Sequence, residues 1–190
     1  NIGLDAVAKS PPDGYTIGIL NIPGMVVLQE FGGAAYDLTR LSYLGGLGRD
    51  EYGLAVAADA PITSIDGLRL VSQQRPVRFT SAGREGTAYA ATLIAARLLG
   101  LRVRMITGYK GSDEYVVAAI RGDGDAVVCA LPILRRMQQS GLLRIIATFQ
   151  KTSTVPGAAD ATTLGLPELS SIILERLVAA PPGLPAPIQA

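Results

Sequence analysis

Between Arg78 and Val128 the hydrophobic and polar positions fall into a repeated block: a short apolar run, a polar loop containing glycine, then a stretch with helical spacing. The segment RFTSAGREGTAYAATLIAARLLGLRVRMITGYKGSDEYVVAAIRGDGDAVV therefore predicts strand, loop, helix, strand, loop, helix, strand. Thr87 to Leu99, stopped at Gly100, and Ser112 to Arg121, stopped at Gly122, are the two helices. Such alternation implies a parallel sheet with helices on its faces. Both loops end at helix N-termini, where backbone N–H groups lack intrahelical partners and carry the positive end of the helix dipole. Ser81 to Thr87 and Gly108 to Ser112 are thus candidate anion cradles. In the second helix Ser112 is placed to cap, Asp113 and Glu114 suit the first turn, and Arg121 suits the last.

Before this region, Asn1 to Lys9 reads as the end of a helix, broken by Ser10-Pro11-Pro12-Asp13-Gly14. Tyr15 to Leu20 predicts a buried strand, and Asn21-Ile22-Pro23-Gly24 breaks it as a third candidate ligand loop before a short helix from Met25 to Phe31. Leu41 to Leu47 and Tyr52 to Ala58 predict two further strands, and Thr63-Ser64 caps a helix running through Gln74. After Val128, a helix from Pro132 to Ser140 and a strand from Leu142 to Thr148 precede a polar linker, Gln150 to Ala161. The final ten residues hold Pro181, Pro182, Pro185 and Pro187 and read as an extended surface segment. Chain crossings are expected near Asp59 and in that linker, giving a first lobe of residues 1–58 and 149–190 and a second of 59–148.

Composition narrows the chemistry. A chain of 190 residues, 48% hydrophobic and 17% charged, suits one large or two small domains. Scattered cations, a net charge of +1 and few aromatics argue against nucleic-acid binding and for a small ligand. No apolar run approaches the roughly 20 residues of a membrane-spanning helix, and the first residues lack the pattern of a signal peptide. With no histidine and one cysteine, Ser-His-Asp and Cys-His sites and an internal disulfide are excluded. Cys129, in an apolar run of strand length, reads as a small buried hydrophobe. Asp123 and Asp125 flank Gly124 in a short turn without the spacing of a calcium loop, so no metal and no cofactor are expected.

The motifs VAKSPPDGYTIGI, TSAGREGTAYAATLIA, GYKGSDEYVVAAIRGDGDAVV, SGLLRIIA, TLGLPEL and APPGLPAPI, in this order, resemble the substrate-binding proteins of tripartite tricarboxylate transporters, the Bug or TctC family. The resemblance covers nearly the whole chain. It implies an α/β fold of the type II periplasmic-binding-protein kind, two lobes with a ligand cleft between them. It further implies a receptor rather than an enzyme, held in the periplasm, which delivers a small organic acid or amino acid to membrane transporter subunits. The family's opening strand with its proline- and glycine-rich loop has no counterpart here, nor have the helices that follow the APPGLP segment. The first lobe is accordingly expected to be incomplete, and its uncovered apolar face to favour a homo-oligomer.

Carried over residue by residue, the resemblance implies that Ser81, Ala82, Gly83, Gly86 and Thr87 meet the ligand with backbone and hydroxyl donors; the competing reading of Gly83 and Gly86 is a tight strand-to-helix turn. Tyr109, Lys110 and Gly111 form a cleft wall or an ordinary exposed loop. Asn21 offers an amide to the ligand or caps its own turn, and Asp125 accepts from a ligand or bonds its own loop. Arg84 and Glu85 largely neutralise each other, and where the family often has histidine this chain offers Tyr89, which donates one hydrogen bond without a positive charge. Two rivals remain on the same frame: a hydrolase pairing Ser81 or Thr87 with Lys110, and a ligand-sensing or interaction module.

Overall fold

The computed structural model describes residues 2–84 and 86–189. In chain order the elements are α1 (Ile2–Lys9), β1 (Gly18–Ile22), α2 (Gly24–Glu30), β2 (Ser42–Ala57), α3 (Ile65–Gln74), β3 (Val77–Thr80) and α4 (Thr87–Leu99). There follow β4 (Val103–Ile106), α5 (Ser112–Ile120), β5 (Ala126–Ala130), α6 (Leu131–Gln139), β6 (Leu143–Thr148), β7 (Ile173–Ala180) and α7 (Ala186–Gln189). The chain divides into two compact units, Asn1–Arg49 with Leu174–Ala190, and Asp50–Ile173.

The first division falls earlier in the sequence than the crossing expected near Asp59 and the second falls later than the one expected in 150–161, and backbone pairing explains why. Residues Tyr52–Ala57 of β2 bond to β5 and β6, which ties them to the second unit. The linker does not leave that unit either. Thr148 N–H donates to the Ala159 carbonyl at 2.8 Å and Ala159 N–H to the Ile146 carbonyl at 3.1 Å, so the segment folds back along β6.

In the first unit β1 pairs antiparallel with β7, Leu20 opposite Leu177 and Gly18 opposite Ala179. One face of this pair meets Leu4 and Val7 of α1 together with Tyr36, Leu38 and Leu41. Sequence patterning predicted a strand buried throughout from Tyr15; instead Leu20 is fully buried, whereas Tyr15, Ile17 and Ile19 are 93, 59 and 57% exposed. Alternation along a strand covered on one face sends Ile19 and Asn21 outward. The two strands expected at 41–47 and 52–58 are one strand, because Gly45, Gly46 and Gly48 lack side chains but still hold extended backbone. The strand β7 had no sequence signal, since Glu175 and Arg176 interrupt its apolar run. The expected extended ending contains the helical turn α7 instead.

In the second unit the strands run in the order β6, β2, β5, β3, β4. Strands β3, β4 and β5 are mutually parallel, and β2 is antiparallel to both β5 and β6, so β6 shares their direction. All five residues of β5 are buried, which is why its sequence is apolar without alternation. Helix α3 begins at Ser64, whose hydroxyl accepts from Gly67 N–H at 3.2 Å, and α4 ends on Gly100 at φ +71°, both as the sequence predicts.

Candidate functional site

In an open sheet of parallel strands, ligands bind outside the carboxyl ends where successive connections leave in opposite directions. Here the chain leaves β3 through α4 toward β4, and leaves β5 through α6 toward β6 on the other side. Adjacent β3 and β5 thus flank the switch point. The loop after β3 is the Ser81 to Thr87 segment.

That loop is laced to the next one. Ser81 N–H donates to the Ile106 carbonyl at 2.9 Å and Gly108 N–H to the Ala82 carbonyl at 3.1 Å, which joins the first residues of the two loops. The Ser81 backbone donor is consumed in this way, so of its two expected donors only the hydroxyl is available. Ser81 is fully buried, and its Oγ has no hydrogen-bond partner among the described residues. A buried hydroxyl without a partner is costly. A turn closed by Gly86 N–H on the Gly83 carbonyl at 3.1 Å leads into α4, and a Cβ at Gly86 would lie 3.2 Å from that oxygen. The turn expected of these glycines is present. Among the described residues the N–H groups of Ala82, Gly83, Thr87 and Ala88 have no acceptor, and the first turn of α4 carries no acid. The expected neutralisation of Arg84 by Glu85 lies outside the described residues; Arg84 itself is exposed, and Tyr89 is half-buried in the first turn of α4.

The second cradle is different. Glu114 folds back so that its carboxylate accepts from Lys110 N–H at 2.6 Å, and Asp113 pairs with Arg136 of α6. The first turn of α5 thus carries two carboxylates of the chain itself, and one of them bonds the backbone just before the helix. The N-cap is Gly111 and no side chain caps, which corrects the capping expected of Ser112. The Tyr109 hydroxyl donates to Asp123 at 3.0 Å, in the turn after α5; burial raises the phenol above its usual pKa, with that bond as the second cause. Lys110 is exposed.

Asp125 is occupied. Its Oδ2 accepts from Arg75 Nη1 at 2.6 Å and Arg78 N–H at 2.8 Å, and its Oδ1 from Arg75 Nη2 at 3.0 Å and Arg78 Nη2 at 2.9 Å. Burial alone would raise its carboxyl, but these bonds outweigh it and hold the group well below the usual carboxylate range. All four lone-pair positions are filled at the amino end of the sheet, leaving none for a ligand at the carboxyl ends. Asn21 belongs to the first unit, where it is exposed, opposite Arg176, and bonds no described residue through its amide.

Sequence reasoning missed the other side of the switch point, the start of α6 at Ala130-Leu131-Pro132, where the first turn again carries no acid. Only the strand order marks it. It also missed Thr148, buried with an unpartnered Oγ1 at the end of β6. Three strand spacings, about 14 Å, separate β6 from β3, so one small acid cannot meet both Thr148 and Ser81. Cys129 is the expected buried thiol: it accepts from the Tyr115 hydroxyl at 3.2 Å, and burial pushes its pKa up to about 11.

Residues 1–187 match the family described as Tripartite tricarboxylate transporter family receptor, TctC. Protein BugT of Bordetella pertussis is 29% identical over 177 residues, 88% of this chain and 53% of its own length. Among solved structures, MatC from Rhodopseudomonas palustris with bound malate is similar at TM-score 0.85 and 21% identity, with 100% of this chain and 66% of that one covered. R. palustris Rpa4515 with adipate gives 0.82 and 24%, with 99% and 64% covered. The chain thus spans about half the length of its curated relative and just under two thirds of these solved proteins. The fold is that of the TctC and Bug solute-binding proteins, with one lobe incomplete.

Proposed function

This chain belongs to the tripartite tricarboxylate transporter receptor family, whose members are periplasmic solute-binding proteins and not enzymes, and from that premise we propose that it binds a small carboxylic acid against the loop from Ser81 to Thr87. The observation that carries the reading is the buried Ser81 hydroxyl at the carboxyl end of β3, without a partner among the described residues, in the loop that leads to α4, whose first turn carries no acid. A carboxylate there accepts from Ser81 Oγ and from the free N–H groups of Ala82, Gly83, Thr87 and Ala88, each bond charge-assisted. Gly86 holds the turn that presents them, and the Thr87 hydroxyl lies beside them at the first helical position.

The malate in MatC and the adipate in Rpa4515 support a ligand with a carboxylate at each end of a short chain. In the full-length receptor the ligand lies in the cleft between two lobes, Asn21 comes to it from the first lobe, and Tyr109, Lys110 and Gly111 form a wall rather than a grip. Delivery to membrane subunits of the transporter, in the periplasm, completes the role. A hydrolase pairing Ser81 with Lys110 lacks support, since no base reaches the Ser81 hydroxyl among the described residues.

Calorimetry of the full-length protein against C4 to C6 dicarboxylates tests the proposal. At a ligand concentration 100 times its Kd, about 2.7 kcal/mol of stabilisation is expected. Ser81→Ala removes one charge-assisted bond, about 1.5–3 kcal/mol, and weakens binding about 10- to 150-fold without lowering stability. Equal affinity of Ser81→Ala and wild type would remove the central premise. Gly83→Val should likewise abolish binding while the protein stays folded; joint loss of both would make Gly83 a folding requirement only.

A further inference from the structure

The amino end of the second unit's sheet carries a second concentration of charge that carboxylate binding does not use. Parallel pairing of β3 and β4 sets Arg78 directly beside Arg104, so two guanidinium side chains leave the same face of adjacent strands about 4.8 Å apart. Like charges so placed repel. Arg75 joins them from the C-terminal end of α3, and Arg75, Pro76, Arg78 and Arg104 line a cavity of about 430 Å³.

Charge compensation there is incomplete. Asp125 is the carboxylate bonded to Arg75 and Arg78, and its four acceptor positions are full. Arg104 is exposed, and its guanidinium makes no hydrogen bond or ion pair with any described residue. Three guanidinium groups against one carboxylate leave a local charge of about +2. The adjoining cavity, about 400 Å³, adds Arg121 and Asp59 beside the same Arg75, Arg78 and Asp125 and does not change that balance. Of the nearby acids, Asp66 is taken by Arg69 and Asp123 by Tyr109. Arg78 and Arg75 retain Nε–H donors beyond those spent on Asp125, and Arg104 retains its whole fork.

We propose that the cavity between Arg75, Arg78 and Arg104 is a binding site for a doubly charged phosphate group, separate from the carboxylate site at the other end of the strands. Planar guanidinium forks match the oxygens of a tetrahedral oxyanion, and a dianion offsets the residual charge where chloride or a monocarboxylate does not. Asp125 is a positioning residue here: it fixes Arg75 and Arg78 so that their remaining donors face the cavity.

Titration of the full-length protein with inorganic phosphate at pH 7.5 and low ionic strength, followed by calorimetry and 31P line broadening, tests this. One phosphate per chain is expected to bind, and Arg104→Gln to weaken it at least tenfold. Arg104→Lys, which keeps the charge and loses the fork, should fall between the two. Malate at saturation should leave phosphate binding unchanged, and Ser81→Ala should not affect it. Absence of saturable binding overturns the proposal, as does equal binding by Arg104→Gln or displacement by chloride at matched ionic strength. Competition with malate overturns it too, since phosphate would then occupy the carboxylate site. Binding to phosphatidylglycerol vesicles without binding of inorganic phosphate would make the surface a membrane contact and overturn the cavity site. The carboxylate reading stands or falls separately, on malate affinity in Ser81→Ala.

Discussion

Replacing Asp125 by asparagine separates a structural staple from a ligand contact. The wild-type carboxylate is 7% exposed and accepts four hydrogen bonds, from side chains of Arg75 and Arg78 and from the Arg78 backbone. Asparagine keeps the size and one oxygen but turns an NH2 toward guanidinium donors, so two of the four bonds are lost. Hydrogen bonds to charged groups contribute about 1.5–3 kcal/mol each when buried. The Arg75 and Arg78 side chains are 50 and 40% exposed, so water recovers part of the loss. The expected cost is therefore about 2–3 kcal/mol, a fall of about 4–12 °C in Tm. Urea unfolding of both proteins at pH 7 measures it. The sign with pH follows from the depressed carboxyl: the stabilisation is fully present above the unfolded value near pH 3.9 and is lost as pH falls through the lower folded value. The difference between the two proteins should be constant from pH 5 to 7 and shrink below about pH 4. A loss under about 0.5 kcal/mol at pH 7 would refute the staple. Reduced affinity for dicarboxylates at unchanged stability would return Asp125 to the ligand.

Gly124→Ala places a Cβ 2.9 Å from Thr80 Cγ2 and 3.2 Å from the Arg78 carbonyl, and chemical denaturation should show a cost of about 1–3 kcal/mol. Ser64→Ala removes the acceptor for Gly67 N–H and should cost about 1 kcal/mol, with hydrogen exchange speeding first at the start of α3. The Cys129 thiol, raised to about 11, should react with a thiol reagent at pH 8 only at the rate of unfolding. Because the unfolded thiol ionises first, stability should begin to fall as pH rises past about 8.5, and less so in Cys129→Ala. Rapid labelling of the native protein would mean that β5 is open.

The sequence alone determined the elements whose cause is local. Thr87 and Gly100 bound α4 because a glycine-bearing turn precedes the one and a left-handed φ follows the other. Ser64 starts α3 by its own hydroxyl, and the unbroken apolar run of β5 required a strand buried on both faces. The loop from Ser81 to Thr87 was legible as a strand-to-helix turn for the same reason: helix N-termini announce themselves in glycine and hydroxyl residues. Tertiary structure separated the two candidate cradles. The first turn of α5 carries Asp113 and Glu114, the latter bonded to Lys110 N–H, whereas the first turn of α4 carries no acid and Ser81 Oγ has no partner among the described residues. It decided that Asp125 serves Arg75 and Arg78, which lie 50 and 47 positions away in sequence. It also placed Arg78 beside Arg104 and the start of α6 across the switch point from Ser81. Strand register and strand order are set by long-range pairing and burial, which no short window of sequence contains.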